Sequence, residues 1–266
     1  MPHFPEHIAA QFVYVERGRA RGLVLRQGSE QIADALFAPE KCEVLTTVGR
    51  GAMRSFPWLP GQRGILRRYR RGGIIRHLLR ESYLLRNRPL CEFLLHNRLK
   101  ELGLPVPNLL GVSWTRRGCL YSGFLATEEL LGVDLDGWLR LHREDQEGCR
   151  SELNACGKLI KEMHDAGIIH GDLQVKNIFI CGQSPFIMDL DGARLHPALH
   201  ALRCQCNLLR LRRSFEKRGH GRALFDILLG GYGTITFYKG LDLFYRSRGR
   251  VSDLVFSGEA RKNDAE

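Results

Sequence analysis

The sequence predicts an α+β chain in two lobes, strand-rich first and helix-rich second. Three observations predict it. Segments in the first half are short, rich in β-branched residues and bounded by Gly and Pro. From Leu153 onward, apolar residues recur at helical spacing. A link near Thr127 to Leu131 separates the two patterns. Strands followed by helices, rather than alternating with them, pack as α+β layers.

Taken in order, KCEVLTTVG (Lys41 to Gly49) reads as a strand ending at a Gly, and GILRRY (Gly64 to Tyr69) as a second strand. Pro89 to Leu102 predicts a helix: Leu90, Phe93, Leu94 and Leu102 fall near a 3.6-residue period, and Pro89 suits a first turn. Gly103, Pro105 and Pro107 stop it. GCLYSGFLATEEL reads as two strands of a meander. Leu153, Cys156, Ile160 and Met163 share one face of a helix that ends at Gly167. NIFI and FIMDL, joined by the turn CGQSP, predict a hairpin, and the chain from Pro197 is again mainly helical. The last dozen or so residues are polar and predict a frayed terminus. The lobes divide as 1–127 and 128–266.

With 44% hydrophobic and 26% charged residues, the chain is an ordinary globular protein rather than a disordered one. The start, MPHFPEHIAAQF, lacks the basic and apolar regions of a signal peptide. No run approaches the ~18 apolar residues of a membrane span, so a cytoplasmic location is expected. The eight cysteines are scattered without a C-x-x-C pair, which predicts free, mostly buried thiols. Cys204 and Cys206 form a C-x-C, a weak metal signal. Net charge is +11. Arg63 to Arg88 holds nine Arg against Glu81, and Arg203 to Arg222 holds six Arg and Lys217 against Glu216. Such stretches suit nucleic acid, anionic membranes or phosphorylated ligands, and charge alone does not choose.

The chemistry lies in HGDLQVKNIFI (His170 to Ile180) and IMDLDG (Ile187 to Gly192). If the strands after Asn177 and before Asp189 pair as a hairpin, those two residues approach at its open end. An amide oxygen and a carboxylate suit Mg²⁺, which takes one or two carboxylates plus phosphate oxygens. Asp172, five residues before Asn177, can reach an incoming hydroxyl. Positioning a nucleophile, accepting its proton and neutralising phosphate is what phosphoryl transfer requires. His164, on the turn before this loop, reads as a satisfied structural histidine that could brace it.

These segments, with GRGAMRSF (Gly49 to Phe56), ILRRYRRGG (Ile65 to Gly73) and the acid of CEFLLHNRLKELGLPVP (Glu92), carry a resemblance. The sequence resembles the protein-kinase-like superfamily and, within it, the lipopolysaccharide kinases. It is nearest the branch acting on 3-deoxy-D-manno-octulosonic acid (Kdo). The resemblance implies a bilobal kinase fold. Gly49 and Gly51 would let the backbone close over ATP phosphates. Arg67 would stand where protein kinases carry the phosphate-binding Lys, or Arg68 if the register slips by one, since a slip turns the side chain to the other face. Glu92 would pair with that arginine. The backbone near Glu128 to Leu130 would bind adenine. Asp172 would be the base, with Asn177 and Asp189 as ligands of Mg²⁺. Asp191 stands where many kinases have Gly. Lys176 would touch the γ-phosphate or lie solvated.

HGD lacks the Arg that docks an activation-loop phosphate, so no such switch is expected. The implied acceptor is Kdo–lipid A, an anionic glycolipid of a membrane leaflet. The Arg stretches, with Arg70, Arg71 and Arg76 as candidates, would draw the enzyme to the cytoplasmic face of the inner membrane. Arg76 could instead contact ATP. A nucleic-acid partner leaves the acidic constellation unexplained and is not expected. The sequence carries no signal for oligomeric state.

Overall fold

The computed structural model describes residues 4–46, 53–69, 87–118, 120–144, 148–196, 201–238 and 240. The chain divides into two compact units, Met1–Leu130 and Leu131–Glu266.

The first unit is built on a seven-stranded sheet. Its strands are β1 (Phe12–Arg17), β2 (Ala20–Leu25), β3 (Glu43–Thr46), β4 (Met53–Leu59), β5 (Gln62–Arg68), β6 (Leu109–Arg117) and β7 (Leu120–Glu128). Their spatial order is β1-β2-β6-β7-β5-β4-β3, every pair antiparallel. Both faces are covered. Helix α2 (Ser29–Phe37) packs Ile32 and Leu36 on Val24, Leu66, Leu110 and Ala126. On the other face, α1 (Glu6–Gln11) and α3 (Arg88–Glu101) bring Ile8 and Phe93 to Phe12, Leu23, Val112 and Leu125. Adjacent residues such as Leu23 and Val24 serve opposite faces, as strand alternation requires. Leu110 and Val112 also serve opposite faces because β6 carries a bulge between Leu109 and Gly111.

Helix α3 starts where the sequence predicts. The Asn87 side chain accepts the Leu90 N–H at 3.3 Å, and Pro89 occupies the first turn. Two features differ from the sequence reading. GCLYSGFLATEEL supplies one nine-residue strand, β7, not two. Its Gly123 marks close approach: a Cβ there would lie 1.9 Å from the Ser113 carbonyl oxygen across the ladder. The unit also holds α2 as well as α3. That helix is only nine residues long and begins after Gly28, which has φ 69° and offers no side-chain cap, so its start carried no signal.

The second unit is mainly helical. It holds α4 (Leu135–Leu141), α5 (Arg150–Asp165), α6 (Ala201–Lys217) and α7 (Gly221–Tyr232). Its strands are short: β8 (Val133–Asp134), β9 (Ile168–Ile169), β10 (Ile178–Cys181), β11 (Ser184–Ile187) and β12 (Arg194–Leu195). The β10–β11 hairpin takes β8 as a third strand, and β9 pairs with β12. Buried Asp136 of α4 accepts hydrogen bonds from Arg218 at 2.9 Å and His220 at 2.7 Å, tying α4 to the α6–α7 turn.

Helices α5 and α7 meet backbone to backbone. A Cβ on Gly157 would lie 2.0 Å from the Leu228 carbonyl oxygen, and one on Gly231 would lie 2.0 Å from that of Asn154. Replacing Gly157 by Ala should therefore destabilise the protein by about 1–3 kcal/mol of overpacking. The helix-propensity gain of about 1 kcal/mol offsets only part of that. Urea unfolding should show a lower midpoint; a raised one would mean the two helices do not approach at this spacing.

Candidate functional site

Two ladders frame the acidic segments. On one side Ile168 and Ile169 pair with Leu195 and Arg194; on the other Ile178 pairs with Ile187. Residues 170–177 and 188–193 are the stretches left facing each other between these ladders. The backbone N–H of Met188 reaches the carbonyl of Asn177 at 2.9 Å, extending the hairpin by one step.

His170 joins the two stretches. Its Nε2–H donates to the Met188 carbonyl at 2.9 Å, and its Nδ1 accepts the Asp172 N–H at 3.0 Å. That pair of bonds requires the neutral ring. Burial holds the His170 pKa below its ordinary value. Gly171 packs directly on the second stretch: a Cβ there would lie 2.6 Å from the Asp191 carbonyl oxygen.

Helix α6 clamps the loop from behind with Asn207, Arg210 and Ser214, which share one face at spacings of three and four residues. Asn207 accepts the His170 N–H at 3.3 Å and donates to the His170 carbonyl at 2.9 Å. Arg210 donates to the Gly171 carbonyl and lies 3.3 Å from Asp172 Oδ1. Ser214 accepts the Val175 N–H at 3.2 Å. His164 Nε2–H donates to Asn207 Oδ1 at 3.1 Å, and Nδ1 accepts from the Tyr232 hydroxyl at 2.9 Å. His164 is thus a satisfied structural histidine and also braces the loop, through Asn207.

Asp172 is exposed, but both its carboxylate oxygens are engaged. Oδ2 accepts from Gln174 Nε2 at 2.6 Å, and Oδ1 faces Arg210. Asn177 closes a short 3₁₀ turn, Val175–Asn177, and its Nδ2 donates to the Asp172 carbonyl at 2.7 Å. With the amide nitrogen fixed inward, Oδ1 is left as the outward acceptor. Asp189 lies two residues past the end of β11, so the strand stops short of the FIMDL that the sequence suggested. It has φ 55°, the sole non-Gly residue with positive φ among the described residues. The backbone brings Asn177 opposite Met188, one position before Asp189. One amide oxygen and one exposed carboxylate fit a divalent cation whose other ligands are phosphate oxygens and water. Among the described residues no three His, Cys, Asp or Glu side chains cluster as a metal site of their own. Lys176, next to Asn177, is exposed.

In the first unit the structure brings Arg67 and Glu92 together. Leu66 faces the α2 core, so Arg67 points to the α3 face, where it donates to Glu92 Oε1. Glu92 is almost fully buried and also accepts from the Tyr69 hydroxyl at 2.5 Å. The guanidinium carbon of Arg67 sits 5.2 Å from the Tyr69 ring centroid. Arg68 is exposed, on the opposite face. The strand alternation settles the register that the sequence left open between the two arginines. At the end of β7, the Glu128 N–H goes to the Asn108 carbonyl and the Glu129 N–H to the Arg63 carbonyl, both at 2.9 Å. Of the amides at 128–130, that of Leu130 is the one not engaged among the described residues. Gly49, Gly51, Arg70, Arg71 and Arg76 lie outside the described residues.

The described cysteines are free thiols. Cys204 and Cys206 are two residues apart on α6, a spacing at which helical side chains do not face each other. Part of the second basic stretch is tied to the protein's own groups: Arg210 holds Gly171 and Arg218 holds Asp136.

Known proteins share this arrangement of sequence and fold. The profile of the lipopolysaccharide kinase (Kdo/WaaP) family matches residues 46–232. A 3-deoxy-D-manno-octulosonic acid kinase of Vibrio cholerae is 32% identical over 223 residues, covering 81% of this chain and 92% of that protein. One from Xanthomonas campestris pv. campestris is 32% identical over 221 residues, covering 79% and 86%. A solved structure of WaaP in complex with acyl carrier protein aligns with a TM-score of 0.58 at 18% identity, over 83% of this chain and 90% of that one. At that identity the likeness is one of fold.

The buried histidines make stability depend on pH. Burial lowers the pKa of His164, and that of His96, to about 4, from 6.5. The unfolded chain therefore binds protons below pH 6.5 that the folded chain refuses, so stability falls as pH drops from 6.5 towards 4 and this contribution then levels off. Each such histidine should contribute up to roughly a factor of ten in the folding constant per pH unit inside that window. Urea midpoints across this range should fall, and less steeply in His164→Gln; an unchanged slope would place His164 outside the buried network.

Proposed function

We propose, from the premise that this chain belongs to the lipopolysaccharide kinase (Kdo/WaaP) family, that it transfers the γ-phosphoryl group of ATP to a hydroxyl of Kdo on lipid A. One observation carries the chemistry. The Asp172 carboxylate is held in a fixed orientation beside Asn177, on a loop joined through His170 to the segment bearing Asp189. The names of the relatives supply the acceptor.

In this reading Asp172 orients the Kdo hydroxyl and accepts its proton. Gln174 and Arg210 keep the carboxylate from rotating away. Asn177 Oδ1 and the Asp189 carboxylate would hold Mg²⁺, which when bound neutralises charge on the β- and γ-phosphoryl oxygens. Arg67 contacts the phosphates in place of a lysine. Its fork suits that role, and Glu92 with Tyr69 pre-orients it. Lys176 reaches the γ-phosphate, the backbone at Gly49 and Gly51 covers the phosphates, and the free amide of Leu130, beside Glu128, meets adenine. Nucleotide contacts fall mainly to lobe 1–127 and the transfer chemistry to lobe 128–266. No helix among the described residues is long and apolar enough to cross a membrane. The net charge of +11 supports adsorption to the anionic cytoplasmic face of the inner membrane, where the acceptor resides.

The test is transfer from ATP to purified Kdo–lipid IVA, followed by mass spectrometry of the sugar, with a heptose-bearing acceptor alongside. Phosphate on Kdo is expected; phosphate on heptose alone would overturn the acceptor assignment. Asp172→Asn should lower kcat by about 10²–10⁴-fold, the usual size of a general-base contribution, with ATP binding retained. Arg67→Ala should raise the KM for ATP about tenfold, and Arg67→Lys should recover part of the loss.

A further inference from the structure

Three helices of the second unit converge on one buried hydroxyl, that of Tyr232 at the end of α7. The glycine contact between α5 and α7 places it: a Cβ on Gly157 would lie 2.6 Å from the Tyr232 backbone nitrogen. His164 comes two turns after Gly157 on α5, on the same face. The close approach of the helices brings the Tyr232 hydroxyl to 2.9 Å from His164 Nδ1. From α6, Cys204 shares a hydrogen bond with the same hydroxyl. Asn207, about one turn after Cys204, meets the other ring nitrogen of His164 at 3.1 Å.

The hydroxyl has one proton for two neighbours. A thiol sulfur is a weak acceptor and a neutral imidazole nitrogen a good one, so the proton goes to His164 Nδ1 and the thiol donates. With Nδ1 an acceptor, the ring proton sits on Nε2 and points at Asn207. An Asn side chain offers an oxygen on one side and N–H groups on the other. Facing a donor, Asn207 turns Oδ1 to His164; the same oxygen accepts the His170 N–H, and Nδ2 donates to the His170 carbonyl. The other tautomer reverses this order. Nε2 would present a lone pair, Asn207 would turn Nδ2 towards it, and both contacts to His170 would set like groups against each other.

We propose that Tyr232 is a positioning residue for phosphoryl transfer: its hydroxyl selects the His164 tautomer, the tautomer sets the Asn207 amide, and the amide holds the His170 backbone that leads into Asp172. The inference rests on the reading of Asp172 as the base and adds a residue of α7 to the groups that place it. Tyr232 acts through two intervening side chains. What passes along them is donor and acceptor order, not bulk, so Phe at this position keeps the ring in the α5–α7 contact and loses the order. A misplaced catalytic group costs rate rather than substrate affinity.

Tyr232→Phe in the full chain, assayed well below its unfolding midpoint, should lower kcat for transfer from ATP to Kdo–lipid IVA about tenfold. The KM of each substrate should move less than about twofold. In a His164→Gln background, where no ring is left to tautomerise, the same substitution should change kcat less than about twofold. An unchanged kcat in folded Tyr232→Phe, as for a merely structural hydroxyl, would overturn the proposal. So would an equal loss in both backgrounds. Nitrogen NMR of the His164 ring reads the order without turnover. The wild type should carry its ring proton on Nε2, and Tyr232→Phe should populate the other form. A wild-type ring protonated on Nδ1 would overturn the proposal even if the variant failed to fold. The expected tautomer, altered in Tyr232→Phe, in a wild type that transfers no phosphate would keep the relay and overturn the kinase assignment instead.

Discussion

The His170 imidazole fixes the distance between the two acidic stretches, and it can do so only while neutral. One ring nitrogen takes the Asp172 N–H and the other gives its proton to the Met188 carbonyl. A second proton on Nδ1 would turn the first contact into a donor facing a donor. Burial opposes that. So does the lack of slack around the ring, because Asn207 holds both the N–H and the carbonyl of the same residue. The next residue must be Gly, since its Cα already lies against the Asp191–Gly192 backbone. A residue with a Cβ would push apart the two segments that the imidazole draws together.

The first unit solves a related problem with a buried acid. Glu92 has little access to water, so its charge must be compensated inside the protein. Arg67 and Tyr69 do this. The arrangement leaves Arg67 only partly buried, with its guanidinium held on Glu92. The sheet enforces it: Leu66 belongs to the core on the far side, so its neighbour must face α3. In a kinase this converts a flexible cation into a positioned one. In the proposed reading Arg67 stands where Lys is usual, its planar fork suited to phosphate.

Much of this was legible in the sequence where the signal is local. The hairpin after Asn177 and the helices at Pro89 and Leu153 follow from spacing and turn residues. What was illegible depended on partners far along the chain. GCLYSGFLATEEL read as two strands because nothing local says that Ser113 lies against Gly123. Helix α2 was missed because its N-terminus has no capping side chain. Asn207, Arg210 and Ser214 sit in a helix that otherwise reads as amphipathic, and Arg210 looked like one more surface charge. The available clue was the burial of polar residues at helical spacing among Leu208, Leu211 and Phe215, and burial is not visible in sequence. The chain is a phosphotransferase of its family, yet the residues that hold its loop in place lie in the third that carried the least sequence signal.

Asp189 shows how local strain and function meet. A non-Gly residue in the left-handed region costs about 1–3 kcal/mol, and Gly would occupy it with no such cost. Backbone stability therefore does not favour Asp at this position. The surrounding ladder is able to impose the conformation. Ile178 to Cys181 pairs residue for residue with Ser184 to Ile187, and the Met188 N–H adds one more bond to Asn177 before the chain turns. Beyond that turn, Arg194 and Leu195 are tied to β9. Fixed at both ends, the segment turns away from the strand direction at Asp189 and leaves that residue exposed instead of buried along β11. In the proposed reading, a cation shared by the Asp189 carboxylate and the Asn177 amide oxygen is what the strained position serves.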